Sequence, residues 1–424
     1  MIKKAIVLVI IVTSLFSHSY GSDSYPVMGL VGRHYGVGSR AFSFANNFTA
    51  ISNDLSALYW NPAALSFLPV REFQISVDGF RTSGEFQLNR NSVTDYHERI
   101  KLTNAGLMGA LPTIQGGFTM AAAYQNPFVF DDFATYSGAF KRDGLNETTD
   151  AKISRYGGLR MWSSGFGVQV APNVGAGVSV SLIRGNYQMS ESREMVVVED
   201  SSSNSITGKR EGSYQGYDLR GGLMYNFDDV FRLGMRIVIP QRIRFVERVN
   251  EIYRDNKTKQ DIRYNYEVRK RLHSPLSGAM GAALTLPYFT VTTEGRFKFP
   301  YTYIFPNDDI PDGNQARRFI FGGGVGVEVP LTVVPIILRG GYSYDMYDLY
   351  PYVEVARGAS RKWERDDVKV ERNLQSFAVG MSLVTKNTAF ELGYGFQTWA
   401  LVSNRILEQD YNDHRLTTTF SVRY

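Results

Sequence analysis

The chain ends Leu416-Thr417-Thr418-Thr419-Phe420-Ser421-Val422-Arg423-Tyr424, and the reading of this stretch decides the fold. Leu416, Thr418, Phe420, Val422 and Tyr424 alternate with Thr417, Thr419, Ser421 and Arg423. A period of two is the side-chain period of a β-strand, with one greasy face and one polar face. One strand further back, Phe390, Leu392, Tyr394 and Phe396 alternate with Ala389, Glu391, Gly393, Gly395 and Gln397. The pattern recurs where Phe289, Val291, Phe297 and Phe299 alternate with Thr290, Thr292, Glu294, Arg296 and Lys298. A soluble sandwich alternates too, but three features point elsewhere. Charged residues sit in mid-strand on the polar face, connections alternate between short and long, and the last strand closes on an aromatic residue.

Working back from Tyr424, the pattern predicts about fourteen strands, an even number that puts both termini on the periplasmic side. They span 73–82, 99–111, 116–126, 154–170, 174–189, 214–227, 230–249, 262–287, 289–300, 317–330, 334–348, 373–385, 388–399 and 415–424. Short turns fall near 111–117, 171–174, 228–230, 287–289, 330–335 and 385–388. Longer charged or glycine-rich segments fall near 83–98, 127–153, 190–213, 250–261, 301–316, 349–372 and 400–414. In lipid every backbone N–H and C=O must be paired, which strands achieve only in a closed sheet. The expected fold is all-β, a transmembrane antiparallel barrel.

Composition agrees. The 424 residues include 40 Gly, 26 Tyr and 27 Phe, a mix suited to aromatic outer surfaces and tight contacts. The absence of cysteine excludes disulfides, thiolate metal sites, cysteine nucleophiles and an N-terminal lipid anchor on Cys. A net charge of +5 is small for this length and gives no case for a nucleic-acid partner. At the N-terminus, Lys3-Lys4 precede an apolar run from Ala5 to Phe16, with small residues at Ser19 and Gly21. This predicts a cleaved secretory signal peptide over 1–21, since the run is shorter than the ~20 residues of a spanning helix. The expected location is the outer membrane of a Gram-negative type of cell, crossed many times, with outer-membrane lipid as a neighbour.

Residues 22–72 lack strict alternation. Within them, GVGSRAFSFANNFTAISNDLSALYWNPAALSFLPV (Gly36–Val70) is rich in small residues. Asp54 is placed to cap a short turn over Leu55–Trp60, limited by Pro62. A barrel of this size has a lumen too wide for its own side chains to fill. The segment is therefore expected to fold inward as a plug, with a periplasmic extension as the alternative, and the barrel to occupy 73–424.

At these residues the chain resembles the FadL family of outer-membrane transporters for long-chain fatty acids and other hydrophobic compounds. The resemblance rests on Gly36-Val37-Gly38-Ser39-Arg40-Ala41, on Asp54-Leu55-Ser56-Ala57, and above all on Asn61-Pro62-Ala63, which matches the Asn-Pro-Ala of the family's hatch. It covers about residues 36–65, and the strand count agrees over the rest. The resemblance implies passive uptake of a hydrophobic or amphipathic small molecule, released sideways through a kink in the third strand. Asn126-Pro127 would mark that kink, unless the strand simply ends there. Pro240 and Pro275 are an alternative site of ladder disruption. Barrels of secretion and surface-assembly systems carry a similar Trp-Asn-Pro-Ala element. An anchor with protein partners is therefore the competing reading.

With the aromatic face toward lipid, Phe231, Leu233, Met235, Ile237, Ile243 and Phe245 point out. Arg232, Arg236, Arg242 and Arg244 then point in. The same logic places Arg220, Arg296, Lys298, Arg318 and Arg339 inside, with Asp218, Glu294, Glu328, Asp345 and Glu391 as partners. Such a lumen either guides an anionic amphiphile or pairs its charges internally and with the plug. Phe128, Phe130 and Phe133, with Tyr136 and Phe140, form a greasy landing site in an extracellular loop, a self-packed loop or part of the outer aromatic girdle. Nothing points to catalysis, a cofactor or a metal. His18, His34, His97, His273 and His414 lack ligand spacing, and Gly322-Gly323-Gly324-Val325-Gly326 lies in a strand without the helix and Lys of a phosphate loop.

Overall fold

The computed structural model describes residues 35–142, 145–199, 202–299, 319–331, 333–346, 352–357, 360–365, 368–403 and 407–424. The expected signal peptide, the start of the 22–72 segment and Arg318 lie outside these residues. In chain order the strands are β1 (Arg71–Leu88), β2 (Asn91–Leu111), β3 (Phe118–Val129), β4 (Asp132–Arg142), β5 (Leu145–Ala171), β6 (Val174–Val197), β7 (Ser202–Phe227) and β8 (Phe231–Val238). There follow β9 (Gln241–Asp255), β10 (Gln260–Ser274), β11 (Ser277–Leu286), β12 (Phe289–Lys298), β13 (Ile320–Pro330) and β14 (Ile336–Asp345). The last are β15 (Tyr352–Arg357), β16 (Ser360–Arg365), β17 (Val368–Val384), β18 (Thr388–Ser403) and β19 (Leu407–Arg423).

Three pairs, β3 with β4, β8 with β9 and β10 with β11, are single staves interrupted once, and β15–β16 is a separate hairpin. The remainder make a closed antiparallel barrel of 14 staves. Closure runs along the whole of β1 against β19, from Glu72↔Arg423 to Leu88↔Leu407. The sheet therefore has no free edge there.

One strand shows how the wall is built. The inward face of β1 reads Glu72, Gln74, Ser76, Asp78 and then Phe80, Thr82, Gly84, Phe86, Leu88, while Phe73, Ile75 and Val77 point out. In the lower half the outside is lipid, so apolar residues face out and polar ones in. Higher up the outside is water, and the same alternation inverts in polarity without changing phase. This inversion explains why several segments expected as loops are strand. The stretches 83–98, 127–153, 190–213, 250–261 and 400–414 lie largely within β1–β2, β4–β5, β6–β7, β9–β10 and β18–β19. Their inward residues, among them Phe86, Ile153, Met195, Ile206, Tyr253, Leu401 and Tyr411, are buried.

Residues 35–70 fill the lower lumen with α1 (Ser39–Ser43), α2 (Ala57–Trp60) and a 3-10 turn at Pro62–Phe67. Asn61 caps that turn by accepting from Ala63 N, and Pro62 takes its first position, where a missing N–H costs nothing. Hydrogen bonds reach the wall on several sides. Ser39 meets Thr417 and Thr419, Thr49 N donates to Glu294 and Leu55 N donates to Glu72. The Asn47 amide donates to Val325 O and Tyr342 O, and the Asn61 amide to Leu223 O. The wall thins where the segment presses on it. A Cβ at Gly222 would stand 2.2 Å from Asn61 Oδ1, and one at Gly324 would stand 2.5 Å from Asn47 Oδ1. Gly324 and Gly326 of the glycine run are thus a packing surface for the segment, against Asn47 and Phe44.

Candidate functional site

The lower lumen is a polar clamp. Arg220 pairs with Asp218 at 2.6 Å, donates to Tyr59 O at 2.7 Å and lies 3.8 Å over the Tyr59 ring. Arg40 of the inner segment and Arg339 of β14 share Glu328 at 2.9 and 2.7 Å. Arg296 pairs with Asp345 at 3.0 Å and donates to Asn46 O at 3.2 Å. Arg415 pairs with Asp78 and donates to Tyr35 O, and Arg423 pairs with Glu72 and reaches Asn53 O. Irregular backbone leaves carbonyls without a ladder, and guanidinium groups satisfy them while keeping their own charge paired. Arg296 and Arg339 are therefore occupied in holding the inner segment.

The remaining arginines named from the sequence divide. Arg232 sits at the periplasmic turn, 2.9 Å from Asp229, whose carboxyl is held below the usual range by hydrogen bonds from Asn226 and Arg232. Arg236 is buried against Trp60, 5.5 Å from the ring centroid. Its Nε and Nη1 have no hydrogen-bond partner among the described residues. Arg242 and Arg244, expected inside, are exposed, whereas Ile243 and Phe245, expected outside, are buried. The correction has a local cause. Residues 220 and 238 pair across β7 and β8, but 215 and 244 across β7 and β9, so Ile239-Pro240 inserts one extra residue and flips the phase. On the other side Val238 faces Ser277 and Gln241 faces Ser274, which puts Pro240 opposite Pro275 where neither donates to the ladder.

The second feature is a seam. β2 and β3 pair from Leu111↔Phe118 only as far as Asn104↔Gln125, leaving β2 above that point unpaired with the third stave. The third stave stays on β5, with a register shift between Gln125 and Phe128 that spans Asn126-Pro127. Pro127 O accepts instead from Tyr35 N, tying the start of the inner segment to the kink. Asn126 is buried, and its Oδ1 has no hydrogen-bond partner among the described residues.

Side chains span the seam. Asp131, buried at the break between β3 and β4, takes Arg99 at 2.7 Å, Lys101 at 2.8 Å and Gly157 N at 3.0 Å. Lys101 also donates to Gly157 O at 3.1 Å, and Arg99 lies 4.6 Å over the Tyr156 ring. Sequence reading missed this cluster. Its only trace was alternation in β2, which turns Arg99 and Lys101 inward beside the exposed Ile100 and Leu102.

Above the clamp and behind the seam the interior is apolar. Phe128, half-buried near the end of β3, Phe130, buried at the break before β4, and Phe133, buried on β4, all turn inward, so strand largely takes the place of the expected extracellular landing loop. Phe133 meets Phe86 at 5.7 Å, Trp399 stacks on Tyr411 at 5.1 Å and Phe130 meets Tyr214 at 5.4 Å. Asn61, Pro62 and Ala63 lie at the bottom against β5, β6 and β7, away from this core.

Closure, an apolar outer band and a polar-to-apolar interior define a transmembrane β-barrel of the outer-membrane type. The fold is that of the FadL-type structures. The chain aligns with the toluene transporter TodX of Pseudomonas putida at a TM-score of 0.60 and 13% identity, over 92% of this chain and 99% of that one. The toluene transporter TbuX of Ralstonia pickettii gives 0.58 and 12%, over 92% and 99%. A FadL homologue of Pseudomonas aeruginosa gives 0.59 and 13%, over the same shares. No family model and no curated protein sequence matches the chain. Two of these neighbours are named as transporters and none as an enzyme.

Proposed function

We propose that this barrel passively conducts hydrophobic or amphipathic small molecules across the outer membrane, long-chain fatty acids and monoaromatic hydrocarbons being the two classes to test first. The observation that carries the reading is the seam between β2 and the third stave, which adjoins the aromatic core. A ligand entering that core from outside would leave sideways into the bilayer at Asn126-Pro127, without crossing water or the polar clamp. FadL-type neighbours named as toluene transporters and a hydrocarbon channel support the same class of cargo. An anchor for a secretion assembly would need neither seam nor apolar core.

The test is uptake of labelled oleate and labelled toluene into proteoliposomes of the full chain, with a hydrophilic sugar as control. Transport of either apolar compound but not the sugar is expected. Equal passage of all three compounds, or of none, would sink the transport reading.

A further inference from the structure

On the outer wall, one row of the ladder is basic. The register joins Arg160 of β5 to Arg184 of β6, Arg184 to Gln215 of β7, and Gln215 to Arg244 of β9. All four side chains are exposed, and Arg242 lies on the same face two residues below Arg244. The row immediately beneath is Trp162, Leu182 and Tyr217, in register and exposed at 60%, 63% and 50%. That lower row is the upper aromatic rim of the lipid band, on the extracellular side because both termini and the short turns are periplasmic. The basic row therefore stands at the level of the outer-leaflet headgroups.

Among the described residues no carboxylate neutralises it. Like charges directly opposite across strands, as Arg160 is to Arg184, are destabilising by themselves. Arg160 donates to Asn186 Oδ1 at 2.8 Å, and Arg184, Arg242 and Arg244 have no hydrogen bond or ion pair among the described residues. The next outward row is Gly158, Asn186, Ser213 and Val246. The first outward carboxylate on these four strands is Glu211, four residues above Gln215, or about 13 Å along the strand. Other arginines of this tall wall are paired. Arg254 meets Asp261 at 2.7 Å, Arg269 meets Glu267 at 2.7 Å and Arg248 meets Glu267 at 3.5 Å. At the rim of β1 and β2, Arg81 meets Glu98 at 3.4 Å. Among the described residues, these arginines higher on the wall are paired and the row at headgroup height is not.

We propose that the Arg160–Arg184–Arg244 row, with Arg242, binds the phosphate groups of the phosphorylated glycolipid of the outer leaflet. Guanidinium forks suit phosphate, and a row about three strand spacings wide, roughly 14 Å, offers contacts to more than one phosphate of the same headgroup. Arg160 lies between Met161↔Gln125 and Leu159↔Phe128, beside the kink, so a bound lipid would stand at the edge of the seam. The inference does not depend on what passes through that seam.

The experiment titrates the full chain, folded in a zwitterionic detergent, with bis-phosphorylated lipid A, and reads bound lipid by native mass spectrometry. Dephosphorylated lipid A and phosphatidylglycerol are titrated alongside. Taking about fivefold per basic residue at a charged lipid surface, the Arg160→Gln, Arg184→Gln, Arg244→Gln triple variant should bind roughly 100-fold more weakly. Its heat-modifiable gel shift should be unchanged. A control variant, Arg248→Gln with Arg254→Gln and Arg269→Gln, should bind like the parent. Four results would overturn the proposal: unchanged binding in the triple variant, equal loss in the control, equal affinity for dephosphorylated lipid A, or equal affinity for phosphatidylglycerol.

Discussion

Asp131→Asn tests whether the charge cluster holds the seam shut. Asp131 is 7% exposed and Lys101 12%, so their 2.8 Å pair is close to a buried one, while Arg99 at 28% is partly screened. Removing one partner of a buried pair costs about 3–5 kcal/mol, because the other charge is left without compensation. Asparagine keeps an acceptor for Gly157 N, and Lys101 keeps Gly157 O, so the lower end of that range, about 3 kcal/mol, applies. If these contacts exist only in the closed wall, the open population rises roughly 100-fold. The chain has no cysteine, so a single Cys at Asn126 reports access to the kink. Its rate of labelling by a lipophilic maleimide dissolved in the bilayer should rise by that factor in the Asp131→Asn background. Lys101→Met should raise it less, because Arg99 remains on Asp131. Labelling at the parent rate in both backgrounds would refute the latch. Faster labelling by a water-soluble maleimide alone would mean that the wall opens upward and not toward lipid.

Gly222→Ala places a Cβ 2.2 Å from Asn61 Oδ1, so the inner segment must shift and the Asn61–Leu223 bond is lost. Ion conductance in planar bilayers should rise above the parent value, and an unchanged trace would show that the inner segment yields without opening a path. Arg40→Gln removes one of two cations on Glu328 and should lower stability by about 2 kcal/mol, given that Arg339 remains. The temperature of the heat-modifiable gel shift should fall accordingly. Asp229 at the periplasmic turn has a folded-state pKa below its unfolded value of about 3.9, so its stabilisation is present above pH 4 and is lost as pH falls through the lower folded value. Arg232→Gln should flatten that acid limb in urea titrations below pH 4. An acid limb identical to the parent's would remove the assigned cause.

Much of the barrel was legible because lipid on one side and polar surface on the other write a period of two into every stave. The staves run longer than sequence reading allowed, and β1 shows why. At Phe80 the solvent outside changes from lipid to water, so the inward residues turn from Asp78 to Phe80, Phe86 and Leu88 while the phase is unbroken. A rule that sends aromatics to lipid must then misplace everything above. Ile243 and Phe245 were misplaced in this way, and the extra residue at Ile239-Pro240 fixed the error by reversing the phase. The aromatics at 128–140 looked like a landing loop for the same reason. The Arg99–Lys101–Asp131 cluster was invisible because its members come from two strands that no longer pair. Only a ladder register relates them.

The two-level interior bears on whether the inner segment must leave for a ligand to pass. It is held by ion pairs and hydrogen bonds from β1, β7, β12, β13, β14 and β19, and the charge-assisted ones contribute roughly 1.5–3 kcal/mol each. Withdrawing it would break many at once and leave buried guanidinium groups at Arg220 and Arg415 without their carbonyls. The seam, by contrast, is bridged by a few side-chain contacts, those around Asp131 and the Thr135 Oγ1–Asp95 bond at 2.7 Å, and begins at the level where the inward face turns apolar. On the proposed route, opening it breaks a few contacts and exposes an aromatic interior to lipid, which carries no hydrophobic penalty. Tyr35 links the two, since its N–H holds Pro127 O at the kink while its carbonyl is held by Arg415. Movement at the kink need therefore displace only the first residues of the inner segment, with Asn61-Pro62-Ala63 left in place at the floor.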